Sequence, residues 1–168
     1  MALTTIGFLK VDGIQGDSPD NDHKGWIEIL GYNHAVRLPV AVHGANVAIG
    51  SKLVEHSPFQ FQKSIDSSSP MLALYCCQGK NIDSVTFALV RQANAQKLTY
   101  MTYVLSDAKV TSVTPGGVGS EAAGLPTETV AFSYSKIKWT YSKFDPKTGA
   151  TQGGDVPAGW DVVNGVSF

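Results

Sequence analysis

The chain has 168 residues, 13 basic and 14 acidic side chains for a net charge of −1, and 43% hydrophobic against 16% charged residues. That length suits one domain with a sizeable buried core. The balanced charge offers no field to draw in nucleic acid or an anionic membrane, and the composition does not indicate a disordered chain.

Seventeen glycines and eight prolines, set mostly between apolar runs, point to an all-β protein with many turns. The first residues, "MALTTIGFLKVDG", carry a single lysine placed after a short apolar run, which lacks the basic start and long apolar centre of a signal peptide. No run of about 18 apolar residues is available to span a membrane. The expectation is a chain made and folded in the cytoplasm, leaving it only by a route other than the general secretory one.

"TTIGFLKV" (4–11) reads as a first strand, and "DGIQGDSPDND" (12–22) as an irregular connection. "DNDHKG" (20–25) opens like a calcium loop with Asp20, Asp22 and Gly25. Its third ligand position is Lys24 and its closing glutamate position is Gly31, so no calcium is expected. "GWIEILGYNHAVRL" (25–38) reads as one long strand, with Trp26, Glu28, Leu30 and Tyr32 on one face and Ile27 and Ile29 on the other. Residues 39–54 keep no clean period and read as a long excursion broken by Pro39, Gly44 and Gly50. "HSPFQFQKSI" (56–65) alternates Phe59, Phe61 and Ile65 against Gln60, Gln62 and Ser64, the mark of a half-buried strand.

"SSSPMLALYCCQG" (67–79) is the one helical stretch. Ser69 suits a cap, Pro70 the first turn and Gly79 a left-handed end, which predicts about two and a half turns. Leu72, Tyr75 and Cys76 fall at i, i+3 and i+4, so these three are the expected core residues, with Met71 and Leu74 broadening the stripe. Adjacent Cys76 and Cys77 lack redox and zinc spacing, and a disulfide between neighbours is strained. His23, His34, His43 and His56 form no recognised arrangement with them, so both cysteines read as inert.

Beyond the helix, "DSVTFALVRQ" (83–92) and "KLTYMTYVLSD" (97–107), joined by "ANAQ", predict a hairpin that "AKVTSVT" (108–114) continues. A Gly/Pro loop at 115–127 includes "GVGSEA" (117–122), but Pro126 stops any helix on which a dinucleotide phosphate could sit. In "TVAFSYSKIKWTY" (129–141), Val130, Phe132 and Tyr134 share one parity while Ile137, Trp139 and Tyr141 share the other. That predicts a bulge near Ser135 or Lys136, or a strand covered on both faces. A turn-rich loop (144–159) precedes a last strand, "WDVVNGVSF" (160–168). No catalytic motif, metal set or cofactor fingerprint is present, so no enzyme and no cofactor are expected.

The whole chain resembles the Hcp family, the hemolysin-coregulated tube proteins of bacterial type VI secretion systems. The resemblance begins at Phe8, Lys10, Gly13, Gly16, Ser18, Asp20 and His23 ahead of "WIEIL". It continues through Phe61, Lys63, Asp66, Ser69, Pro70, Leu72 and Gly79, then "LSDAKVTSV", "PTETVAFSYSKIKWTY" and "GWDVVN". It implies a mainly β fold: a small closed β-barrel of antiparallel strands with one short helix on its side, residues 1–168 forming one domain. It further implies a homo-hexamer, rings stacked into an inner tube, sheath and spike proteins as partners, and effector proteins in the lumen, with neither nucleic acid nor membrane insertion. Export then needs no signal peptide. The departures lie in 39–54, 115–127 and 144–159, which match in place but not in residues. The competing readings are a small secreted β-barrel effector, enzymatic or ligand-binding, and a phage tail-tube protein.

Within this resemblance the apolar, unperiodic segment 39–54 is the expected inter-ring contact, through Pro39, Val40, Val42, His43, Val47 and Ile49. A closed ring satisfies its lateral faces by rotation, but stacking needs a separate patch.

Overall fold

The computed structural model describes residues 5–39, 41–43, 46–48, 54–93, 96–117, 125–145 and 148–168. Its strands are β1 (Gly7–Val11), β2 (Ile27–Ile29), β3 (Gly31–Asn33), β4 (Val36–Arg37), β5 (Ala41–His43), β6 (Asn46–Ala48), β7 (Glu55–His56) and β8 (Phe59–Ser64). One helix, α1 (Ser69–Gln78), follows, and then β9 (Ile82–Ala93), β10 (Gln96–Gly116), β11 (Thr127–Ser133), β12 (Lys136–Tyr141), β13 (Val156–Asp161) and β14 (Val166–Ser167). The chain is thus mainly β with one short helix.

The main sheet runs β14-β13-β12-β10-β11-β8-β3, with β9 joining β10 to β1 and β1 carrying β2. Its organising element is β10, 21 residues long. It pairs with β9 from Gln96 to Ala108 and with β12 from Met101 to Ser106. At Asp107, which has φ +50, it changes partner and pairs with β11 from Lys109 to Gly116. A strand of this length bends only where the ladder is interrupted, and a left-handed residue supplies the interruption.

The expected hairpin of 83–92 and 97–107 is β9–β10, and 108–114 continues it as expected. Four other readings of the main sheet's strands need correction. The long strand 25–38 is three short strands, because the chain leaves β1 at Ile29 and joins β8 at Gly31. Ile27 and Ile29 are buried, whereas Tyr32 is 41% exposed. The phase change in 129–141 is a passage from β11 to β12 across Tyr134 and Ser135 rather than a bulge inside one strand, with Phe132 and Ile137 both buried. Ile65 is exposed, since β8 ends at Ser64. "WDVVNGVSF" is the turn of a hairpin rather than one strand. Asp161 accepts from the Asn164 backbone and side-chain N–H groups, each at 2.8 Å, and Gly165 takes φ +66. These bonds hold the Asp161 carboxyl below its ordinary range.

The core is aromatic. Phe59, Phe61, Phe87 and Phe132 are all fully buried, Phe61 meeting Phe87 edge-on at 4.9 Å and Phe132 at 5.9 Å. Helix α1 packs on β10 and closes one side of this core with Leu72 and Tyr75, both buried, while Cys76 is half-buried against them. Its outer face is also apolar: Met71 is 39% and Leu74 44% exposed, so the buried stripe is narrower than expected. The helix ends at Gly79, φ +57, whose N–H bonds to Cys76 O while that of Lys80 bonds to Tyr75 O. Ser68, not Ser69, occupies the cap position, and it makes no side-chain capping bond.

Candidate functional site

Between Asn33 and Phe59 the chain leaves the main sheet as an arm. Its root is the β4–β7 pair, with two rungs, Val36↔His56 and Arg37↔Glu55. Further out, β5 and β6 pair through Ala41↔Ala48, Val42↔Val47 and His43↔Asn46. Among the described residues, neither pair joins a strand of the main sheet. The expectation of an excursion without regular pairing is therefore corrected: 39–54 contains a β-hairpin, which small and β-branched residues allow despite the lack of a clean period. Of the expected contact residues, Pro39 is exposed; Val42, His43 and Val47 lie on the hairpin strands; Val40 and Ile49 lie outside the described residues. Val36 and Leu38, at the root, are each 48% exposed.

The root is tied down by one hydroxyl. Tyr134, between β11 and β12, has its Oη 2.6 Å from His34 Nε2 and 3.0 Å from His56 Nδ1. His34 stacks on Phe59 with ring centroids 4.6 Å apart, and Ala35 and Ser57 exchange bonds: Ala35 N–H to Ser57 Oγ, Ser57 N–H to Ala35 O. Burial pushes both imidazoles below their ordinary pKa, and His34 feels His56 as well. Burial likewise pushes the Tyr134 phenol up.

A second cluster locks the helix to the sheet. Lys63, 1% exposed, donates to Asp66 Oδ1 and Glu128 Oε1, both at 2.7 Å, and to Ser69 Oγ at 3.1 Å. Ser69 Oγ in turn donates to Glu128 Oε1 at 2.7 Å and accepts the Asp66 N–H. That is the role of Ser69 in place of capping. Lys63 and Glu128 are direct cross-strand partners on β8 and β11. A buried ammonium needs such a full set of acceptors, so this cluster is structural rather than reactive.

The calcium-like stretch is also self-contained. Asp20 Oδ1 lies 2.9 Å from His23 Nδ1, and Asp20 Oδ2 accepts from Lys97 on β10. The Lys97 bond, with help from His23, lowers the Asp20 pKa to about 2. His23 is buried, stacked on Phe8 at 4.4 Å and edge-on to Trp26 at 5.0 Å. Gly16 sits where a Cβ would lie 2.5 Å from Trp26 O, so the loop approaches β2 too closely for any other residue. Cys76 and Cys77 are free thiols, and among the described residues no group of three His, Cys, Asp or Glu side chains converges on one point.

Three partners were not singled out from sequence: Glu128, Lys97 and Tyr134. A signal for the first existed. Lys63 has the same parity as Phe59 and Phe61, and Glu128 the same parity as Val130 and Phe132, so both charges had to point inward.

The fold is thus a mainly antiparallel sheet with one side helix and a separately paired two-stranded arm. Residues 8–141 match the family model described as type VI secretion system effector, Hcp. Protein hcp1 of Pseudomonas aeruginosa is 26% identical over 159 residues, 95% of this chain and 96% of that protein. The crystal structure of Hcp1 from Salmonella typhimurium superposes with a TM-score of 0.78 at 30% identity, over 98% of this chain and all of that one. A structure described as a type six secretion system protein reaches 0.88 at 25% identity over 98% of this chain and 100% of that one. The chain belongs to the Hcp family. Its relatives are tube and secreted proteins of type VI secretion systems, as the resemblance implied.

Proposed function

We propose that this chain, as a single domain, is the ring-forming subunit of a type VI inner tube: six copies close a ring, rings stack, and effector proteins ride in the lumen inside the sheath and behind the spike. The observation that carries this is the family match over residues 8–141. The arm supports it further, because a two-stranded ribbon whose described strands pair with no strand of the main sheet is marginal alone in water and gains stability by docking. Its hairpin, with Pro39, Val40, Val42, His43, Val47 and Ile49, is the proposed contact between rings.

The sheet closes into a barrel through the continuous β2–β3 segment. Supporting this, Ile6 N–H bonds to Ile29 O on one side and Leu30 N–H bonds to Gln62 O on the other, both at 2.8 Å. The protein is structural rather than catalytic, takes no cofactor, binds no nucleic acid and inserts in no membrane. No helix among the described residues is long and apolar enough to cross one. It folds in the cytoplasm and leaves through the type VI machinery without a signal peptide. Size-exclusion chromatography with light scattering tests the reading: a mass of six chains is expected, and a monomer at micromolar concentration overturns it in favour of a free effector.

A further inference from the structure

His34 stands just before β4 and His56 lies in β7, so the arm enters and leaves through two imidazoles that reach the same oxygen. A phenolic hydroxyl has one proton to give. With both rings neutral, it donates to one imidazole and accepts from the other, and the ring that accepts its proton must stay neutral. Two proton arrangements satisfy this. If Tyr134 donates to His56 Nδ1, the His56 proton sits on Nε2, which is buried and has no partner among the described residues. If His56 Nδ1–H donates to Tyr134 Oη and Tyr134 donates to His34 Nε2, His56 Nε2 is only a bare lone pair. An orphaned N–H is the costlier defect, so the chain runs from His56 to Tyr134 to His34.

We infer that His34, Tyr134 and His56 form an acid-sensitive latch on the arm. A proton added to His34 Nε2 gives Tyr134 Oη two donors facing it and leaves its own proton without an acceptor. A proton added to His56 creates the buried, unpartnered Nε2–H. The first breaks the chain that ties the root to the β11–β12 link, and the second leaves both bonds in place but buries a charged N–H with no acceptor among the described residues, so each disfavours the latched root.

Little else restrains the root. Two rungs and the paired Ala35–Ser57 bonds hold it, and these span the same residues that carry the imidazoles. Phe59 from β8 and Tyr134 from the β11–β12 link lie against the rings, while the charged Arg37 of β4 and Glu55 of β7 form the neighbouring rung, whose side chains alternate to the other face. Among the described residues no carboxylate lies within ion-pair reach of either ring, unlike His23, which has Asp20. The two rings lie 6.1 Å apart, so charge on one opposes charge on the other. The latched state therefore binds fewer protons than the released one. It is favoured above the ordinary imidazole pKa of 6.5 and gives way as pH falls below it.

A pH-dependent arm makes ring stacking pH-dependent only if the tube reading holds, but the latch itself is a property of one chain, so its failure is separable from failure of that reading. The test is NMR on the unassembled protein, reading imidazole tautomers and amide hydrogen exchange, corrected for intrinsic rates, between about pH 7.5 and about pH 5. Both rings should be neutral at the upper pH, with His56 protonated on Nδ1. Protection of the Ala35, His56 and Ser57 amides should fall roughly tenfold or more on acidification while β9 and β10 stay protected. Tyr134→Phe should show low root protection at both pH values. The double variant His34→Gln, His56→Gln keeps a donor and an acceptor at every pH, and should keep its protection in acid, which supplies the test if Tyr134→Phe does not fold. Root protection that is flat with pH in the wild type, an acid step that survives in either variant, or a charged ring at the upper pH overturns the latch.

Discussion

The body of the sheet and the arm are both made of antiparallel strands, but they are held in opposite ways. In the body, β1, β2, β8 to β12 and the helix all put residues into the core, and Lys63, a buried cation, has three acceptors. In the arm, two rungs and one shared hydroxyl hold the root. Burial and redundancy place the body at the high end of local stability, and the arm at the low end from which moving and docking elements are drawn. The same chemistry that makes a strand stable in one place makes it available in the other.

That contrast breaks first at Leu72, which is fully buried under the helix. Leu72→Asp puts an unpaired carboxylate into the aromatic core, at a cost of several kcal/mol, on the order of the whole stability of such a domain. Insoluble protein is expected, and a soluble ring at wild-type yield would show that α1 is not part of the core.

Next comes Lys63→Met. It removes the cation but leaves Glu128 buried with Ser69 its one remaining donor among the described residues, which costs about 3–5 kcal/mol. Denaturant unfolding measures it. Adding Glu128→Leu should recover much of the loss, because both charges are then gone. If the double variant loses the sum of the two single losses, the cluster is not the coupled unit described here.

How much of this was legible beforehand differs between the two regions for physical reasons. Period-two alternation reports a strand with one dry face, so β8, β9 and β10 could be read directly, and the helix stood out through Pro70 and Gly79. Alternation does not report where a strand changes partners, so 25–38 and 129–141 looked continuous although each crosses between parts of the sheet. The Asn164–Gly165 pair was a hairpin signal that the apolar residues around it obscured. The arm was hardest: small residues that pair only with each other leave no dry-face pattern. The His34–Tyr134–His56 meeting joins positions 100 and 78 residues apart, which no local spacing encodes.

The helix offers a smaller test of the body. Cys76→Ala with Cys77→Ala trims one half-buried and one exposed side chain. The expected loss is about 1–2 kcal/mol, from the cavity at position 76 alone. Assembly and export should be unchanged, and a folded double variant that forms no ring would give the thiols a role that their surroundings do not suggest.

The smallest effect on stability should accompany the largest effect on function. Val36 and Leu38 are half-exposed at the root of the arm, and exchanging such surface residues for serine changes unfolding free energy by roughly 0.5 kcal/mol or less apiece. Val40→Ser, Val42→Ser and Val47→Ser extend the test along the hairpin segment. If the arm is the contact between rings, both sets should leave hexamers intact by light scattering, because a ring closed through other faces of the subunit would not need the arm. Stacking should nonetheless fail, because a head-to-tail contact is a separate, non-closing surface that loses its apolar area copy by copy. Electron microscopy of tubes and a secretion assay read the two outcomes together. Normal tubes and export would return the arm to being a loop that lies on its own subunit. Rings that fall apart would move it into the lateral interface. Only intact rings that cannot stack would show that the least secured part of the chain is the part that joins one ring to the next.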